Sequence, residues 1–288
     1  MILIAHFYNE EYFLPFWLEH HKKIFDKAIL INSFSTDKSL EIINKIAPDW
    51  KVINSPDKKF NSESMERFII DIENNYKDEV KIVLNISEFL IIKNLKKFIK
   101  LTSQKKSAFW IQAAMMVDIE NQEEEVVDLL KQKYAGFWHS DQNLHKINKK
   151  FTFADSNYRE RLIHNFDNGM YLPGRHKSRL KNTKRMSRNI AYIRWYNFSP
   201  WNKRFIERKL SFANTLSIND KEKKHGFQHL ADYDDLDAMF EYYKTISYKL
   251  THLTIKSFIL SIYNLKLYPF TFFFKKKFNK LKFKKNLN

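Results

Sequence analysis

Through the first ninety residues, short runs of β-branched and aliphatic residues alternate with segments whose apolar residues fall at helical spacing. That alternation restricts the fold more than any other feature of the chain. The strand candidates are ILIAHFY (2–8), KAILINS (27–33), KVINS (51–55) and VKIVLNI (80–86), near-continuously apolar as strands covered on both faces are. After Asn9, the residues Phe13, Phe16, Trp17 and Ile24 mark a helix that tolerates Pro15 if it begins near Leu14. Ser35, Thr36 and Asp37 offer capping oxygens to a second helix with Leu40, Ile43 and Ile46 on one face. A third helix from about Ser62 is expected to turn Met65, Phe68, Ile69 and Ile72 inward and Glu63, Glu66 and Glu73 outward. The order predicts an α/β fold, a mostly parallel sheet flanked by helices. Such sheets bind ligands at the carboxyl ends of their strands. Those ends are Tyr8-Asn9-Glu10, Asn32-Ser33-Phe34-Ser35, Asn54-Ser55-Pro56 and Asn85-Ile86-Ser87-Glu88, four polar tips expected to face one crevice.

Past this region the pattern loosens. Residues 107–119 read as a further strand, NQEEE (121–125) as a solvated loop, 134–198 as loop-rich, and 201–217 and 233–262 as helical. With no internal repeat and no Pro/Gly/Ser linker, the expected organisation is one main domain over 1–230 and a helical, basic extension over 231–288.

Composition removes several function classes. The chain has no cysteine, which excludes disulfides, thiolate zinc sites and a cysteine nucleophile. None of the four glycines, Gly136, Gly169, Gly174 and Gly226, precedes residue 136, so neither a dinucleotide-binding G-x-G-x-x-G turn nor a Walker loop exists near the early strands. No G-x-S-x-G elbow occurs, and His139, His145 and His164 show no metal spacing with carboxylates. MILIA runs too soon into His6, Asn9 and Glu10 to be a signal-peptide core, and no stretch reaches the roughly 18 apolar residues of a membrane span. The expected location is cytoplasmic. A net charge of +17, from 50 Lys and Arg against 33 Asp and Glu, points to an anionic partner, although a Lys-, Asn-, Ile- and Phe-rich composition of the kind an AT-rich genome produces explains it as well.

NEEYFLPFWLEHHKKIFDKAILINSFSTDKSLEII (9–43) resembles the opening of the family-2-like glycosyltransferases of GT-A fold. The likeness lies in an Asn-Glu pair, a Leu-x-x-Trp-Leu-x-x-His helix and a strand ending in an Asp-Asn/His-x-Ser-x-Asp loop, and it covers roughly residues 5 to 92. It implies a nucleotide-sugar donor held by His6, Tyr8, Asn9, Glu10, Asn32, Ser35, Asp37, Asn85 and Ser87. In that family a D-x-D-E-F motif holds a divalent cation against the donor diphosphate; here the motif reads Asn85, Ser87, Glu88, Phe89, and the first Asp of the base-contacting loop is Asn32. Glu88 is left as the only carboxylate for Mg2+ or Mn2+, which prefer carboxylate oxygens. The metal is expected to bind weakly or be dispensable.

A departing phosphate still needs its charge stabilised. PGRHKSRLKNTKRMSR (173–188), with a Gly-Arg-His triplet like one found late in the family, is the expected source, presenting Arg175, His176, Lys177 and Arg179 from a tight turn; a solvated basic loop is the competing reading. A donor with a single phosphate, such as a CMP-linked sugar, would lower the demand for metal. Asp118 is the first candidate for the base that deprotonates an acceptor hydroxyl, then Glu120 and Asp155, with Glu88 and His176 as further catalytic candidates. His225, Gln228 and His229 resemble a Gly-x-Gln-His segment that closes over donor or acceptor.

LYPFTFFFKKKFNKLKFKKNLN (267–288) carries seven lysines between Lys275 and Lys285 among Phe274, Phe278 and Leu281, as a segment lying on an anionic bilayer would; a free tail or a docked helix are the alternatives. The expected function is transfer of a hexosyl or related residue to a bacterial surface glycan of lipopolysaccharide, lipooligosaccharide or capsule type, at the inner face of the cytoplasmic membrane. Two other readings are a catalytically inactive relative that binds glycan or a partner protein, and a nucleic-acid binder, which lacks any recognisable motif.

Overall fold

The computed structural model describes residues 1–120, 129–136, 159–223 and 230–250. The chain divides into two compact units, Met1–Ser247 and Tyr248–Asn288. The first unit begins as the alternation predicts, with β1 (Ile2–Phe7), α1 (Leu14–His21), β2 (Lys27–Asn32), α2 (Ser39–Ile46), β3 (Lys51–Asn54), α3 (Ser62–Asn74) and β4 (Lys81–Val83) in order. β1 lies parallel between β2 and β4, and β2 pairs in parallel with β3. The register sets Phe7 opposite Asn32 and Asn32 opposite Asn54, so these polar tips are neighbours at one sheet edge.

Side-chain alternation then divides the strands between two layers. Ile2, Ile4, Ile29, Ile31 and Val83 pack with Met65, Ile69 and Ile72 of α3, while Leu14, Trp17 and Leu18 of α1 are completely buried. Asn61 caps α3 by accepting from the Ser64 amide at 3.0 Å. The helix that Ser35–Asp37 was expected to start begins at Ser39, whose amide donates to Asp37 Oδ1 at 3.0 Å. On it Ile43 is buried, whereas Leu40 is exposed.

The second half is more strand-rich than the sequence suggests. It contains β5 (Glu88–Ile92), α4 (Leu95–Thr102), β6 (Ala108–Val117), β7 (Tyr134–Gly136), β8 (Glu160–His164), β9 (Lys184–Arg185), β10 (Ala191–Phe198), α5 (Lys203–Ser211), α6 (Ile218–Glu222) and α7 (Tyr233–Ile246). β8 runs antiparallel between β4 and β6 and joins the two halves. The long β6 pairs with β8 over Ala108–Gln112 and in parallel with β10 over Ala113–Val117, and β10 in turn pairs antiparallel with β5. The strand order β7-β6-β8-β4-β1-β2-β3 makes an α/β sheet that is parallel on one side, mixed on the other and flanked by helices.

Three expectations are corrected. The strand expected over 80–86 stops at Val83, and Glu88 opens an unforeseen strand, β5, against β10. The stretch 134–198 holds β7 to β10; in β8, ERLIH is buried at every position although three of its five residues are charged or imidazole-bearing, so no apolar alternation marks it. Glu66 and Glu73 of α3 point inward and are buried, because each meets hydrogen-bond donors from the segment that carries Arg175.

Candidate active site

The β1 and β2 tips are tied together by the residues expected to hold the donor. The Asn9 amide donates to Ser35 Oγ at 3.0 Å, and Asn9 Oδ1 accepts from the Thr36 amide at 2.8 Å. Asp37 Oδ2 accepts from the Glu11 amide at 2.9 Å, and Asn32 Oδ1 from the Ser35 amide at 2.9 Å. Asn32 reaches Asn54 Oδ1 at 3.4 Å, bringing the β3 tip into the same group. Glu10 is buried and paired through both oxygens with Arg208 of α5. Tyr8 is half-buried beside this group.

Next to it lies a cluster that the sequence reading found only in part. Glu88 is fully buried, its Oε1 accepting from Arg159 Nε at 2.7 Å and its Oε2 from Arg161 Nε at 2.8 Å. The Asn85 amide adds a third bond to Oε2 at 2.9 Å. Burial alone would raise the Glu88 carboxyl, but the charges of Arg161 and Arg159 and these bonds overcome it and hold the group far below the usual carboxylate range. Arg159 also lies over the Trp195 ring, 4.0 Å from its centroid. Arg159 and Arg161 were missed because they sit beside and within a short strand with no apolar alternation; their spacing of two places both on one face of it.

The basic turn supplies the third arginine. Gly174 (φ 85°) and Arg175 (φ 56°) both occupy the left-handed region, costly for Arg175 and sustained by its surroundings. Arg161 Nη1 donates to the Gly174 carbonyl at 2.7 Å. Glu66 Oε1 accepts from the Gly174 amide at 3.2 Å and from Arg175 Nη1 at 3.0 Å. Farther back, Glu73 accepts from the Gly169 amide at 2.7 Å and from the Tyr171 hydroxyl at 2.9 Å, with His164 Nε2 at 3.2 Å. The two inward acids of α3 therefore hold the turn at two points.

Arg175 Nη2 reaches His6 Nδ1 at 3.3 Å. A guanidinium only donates, so His6 accepts at Nδ1 and carries its proton on Nε2, stacked on Phe60 at 5.5 Å. The Asn85 side chain sits among all three guanidiniums: in one orientation its oxygen accepts from Arg175 Nη2 at 3.3 Å, and in the other from Arg159 and Arg161 Nη2 at 2.9 and 3.1 Å. His176 donates from Nδ1 to the Glu160 carbonyl at 3.3 Å; burial and then the Arg161 and Arg159 charges push its pKa well below the ordinary histidine value, leaving a neutral ring. Lys177 and Arg179 are exposed. Ser87 is buried, its carbonyl accepting from the Tyr196 amide at 2.8 Å.

The Leu-x-x-Trp-Leu-x-x-His helix has a physical role in this arrangement. Trp17 Nε1 donates to the Glu88 carbonyl at 3.0 Å, His21 Nε2 accepts from the Leu90 amide at 3.2 Å, and His20 Nε2 lies 2.7 Å from the Leu90 carbonyl. α1 thus fixes β5, and β5 fixes Glu88.

These residues do not fit a divalent cation at the D-x-D-like position. Both Glu88 oxygens face guanidiniums, and Asn85 is enclosed by three positive charges, which repel a dication. Among the described residues no group of three or more His, Asp or Glu side chains is placed to hold a metal. What the arrangement suits is an anion with several acceptor oxygens.

Asp118, at the end of β6, is buried and its Oδ2 accepts from the Trp201 amide at 3.0 Å; Glu120 is exposed. Asp155, His139, His145, the segment His225, Gln228 and His229, and the tail 267–288 lie outside the described residues. No helix among the described residues is long and apolar enough to cross a membrane.

No protein-family model matches the chain, and no curated protein matches it. Among solved structures, S. aureus TarS 1-349 in complex with UDP-GlcNAc is similar at 15% identity and TM-score 0.38, covering 88% of this chain and 75% of that one. TarS 1-349 alone gives 17% identity and TM-score 0.38 over 85% and 72%. Glucosyl-3-phosphoglycerate synthase from Mycobacterium tuberculosis with phosphoglyceric acid gives 11% and TM-score 0.38 over 74% and 76%. Likenesses of this size carry no functional argument for the chain.

Proposed function

We propose that the protein is a glycosyltransferase that uses a nucleotide-sugar donor and places the donor phosphate against Arg159, Arg161 and Arg175. The observation that carries this reading is the convergence of three guanidiniums on Asn85, at the carboxyl end of β4, beside the joined tips of β1, β2 and β3. Parallel sheets bind ligands at that edge, and fixed guanidiniums stabilise the charge that grows on a departing phosphate without reorganising as it leaves.

In the proposed reaction an acceptor hydroxyl attacks the anomeric carbon, the bond from that carbon to the phosphate oxygen breaks, and the arginines receive the phosphate. Mg2+ or Mn2+ dependence is weak or nil, since guanidiniums occupy the place of the motif's acids; a singly phosphorylated donor of CMP-sugar type fits the same site. Asp118 is the proposed proton acceptor. Because it is buried against the Trp201 amide, the role requires that segment to give way, and Asp118→Asn should lose kcat with KM little changed. The proposed acceptor is a bacterial surface glycan on a lipid carrier, with the basic tail 267–288 at the inner face of the membrane.

Calorimetric titration with UDP, CMP and their sugars, in Mn2+ and in EDTA, tests the reading. One nucleotide should bind with affinity little changed by chelation and fall by roughly tenfold or more in Arg175→Ala. Absence of nucleotide binding in every condition would defeat it.

A further inference from the structure

The segment Lys93–Lys106 contains six lysines, at 93, 96, 97, 100, 105 and 106, and no acidic residue. All six are exposed. It is built around α4, capped by Asn94 Oδ1 accepting from the Lys97 amide at 3.0 Å, and the helix is anchored through Phe98, which is buried, and Thr102. Its outer face is not simply polar. Leu95 and Ile99, one turn apart, are 60% and 53% exposed, and Lys96, Lys97 and Lys100 stand around them. Single exposed apolar residues are ordinary on a surface; two large aliphatics on the same helical stripe, in a segment whose charged residues are all lysines, are not explained by solubility.

We propose that this face is a docking surface for an anionic lipid bilayer. Lysines surrounding a small apolar tip match both layers of such a surface: the ammonium groups meet lipid phosphates while Leu95 and Ile99 enter the headgroup–acyl boundary. A nucleic-acid duplex would use the charges but leave the two aliphatics in water. The surface belongs to the folded first unit, is separate in sequence from the tail 267–288, and does not depend on the sugar-transfer reading.

The lack of cysteine allows a direct test on the full chain. Leu95→Cys and Ile99→Cys, each carrying an environment-sensitive fluorophore, are mixed with vesicles of phosphatidylcholine containing about a third phosphatidylglycerol, and Ile218→Cys, another exposed position, serves as control. The probes at 95 and 99 should shift to the blue and become shielded from aqueous iodide, the one at 218 should not, and pure phosphatidylcholine should give no response. In the otherwise unlabelled protein, Lys96→Gln/Lys97→Gln/Lys100→Gln should weaken vesicle partitioning roughly tenfold or more. The proposal is overturned if the chain sediments with the vesicles while both probes stay in water, which would assign binding to another segment, if it does not sediment at all, or if duplex nucleic acid or an acidic polypeptide shields the probes and the vesicles do not. Nucleotide titration in vesicle-free buffer is unaffected by any of these results, so the two readings fail separately.

Discussion

Glu88 and Glu66 are both buried carboxylates that face arginine, yet their pKa values move in opposite directions. Glu88 has a guanidinium on each oxygen and an amide besides, and attraction wins over the cost of leaving water. Glu66 gathers its donors, Gly174 N and Arg175 Nη1, on Oε1 alone, and Oε2 has no hydrogen-bond partner among the described residues. Its carboxyl is raised by burial, which the charges of Arg175 and Arg161 only partly offset. The contrast separates a fixed structural charge from one that can accept a proton: the Glu88 region holds its arginines rigidly, whereas the Glu66 region holds Arg175 by a weaker, titratable grip.

The most severe way to break the comparison is Glu88→Gln, which leaves Arg159 and Arg161 without their counter-charge and should cost about 3–5 kcal/mol in denaturant unfolding. Glu66→Gln keeps a carbonyl for Gly174 and Arg175 and should cost less, about 1–2 kcal/mol; equal costs would remove the distinction. Between them stands Gly169→Ala. A Cβ there would lie 2.1 Å from the Tyr171 ring, displacing the turn that Glu73 holds at a cost of about 1–3 kcal/mol, and it should weaken nucleotide binding through Arg175 while leaving the Glu88 cluster intact.

The pH dependence sharpens the same contrast, because the signs are opposite. Glu88, depressed in the folded state, contributes stability that is present above the ordinary carboxylate value and is lost as pH falls toward its folded pKa. The stability gap between the native protein and Glu88→Gln should therefore narrow in acid. Glu66, raised, contributes stability that is fully present below the ordinary value and is lost as pH rises through its folded pKa. The gap to Glu66→Gln should narrow in the other direction, toward neutral pH. Unfolding curves of the three proteins from acid to neutral read both trends, and parallel trends would refute the assignment. The smallest effect is expected from Lys177→Ala and Arg179→Ala, exposed positions that should change stability by less than about 0.5 kcal/mol and reduce nucleotide affinity less than Arg175→Ala does.

Much of the first half was legible because its code is local. β1 to β4 are apolar runs between helices with visible periodicity, and the tips Asn9, Asn32 and Asn85 follow from where those runs stop. The adjacency of the tips also follows, since parallel strands separated by helices leave their carboxyl ends on one edge. The Gly-Arg-His turn could be picked out because Pro173 and Gly174 mark it. What could not be read is which charges face inward. Glu63 and Glu66 lie on the same helix only three residues apart, yet Glu66 is buried and Glu63 is half-exposed, a difference made by donors that arrive from residues more than a hundred positions away.

The sequence by itself determined the layered α/β order, the polar edge and the basic turn, because propensity and side-chain period act over a few neighbouring residues. Only the tertiary structure decided that Asn85 would be enclosed by Arg159, Arg161 and Arg175, and that both oxygens of Glu88 would be held by Arg159 and Arg161. Those outcomes depend on β8 inserting antiparallel beside β4 and on the 169–179 turn closing over α3. Charged residues bury only where partners from distant segments meet them, and no local pattern in the chain records that meeting.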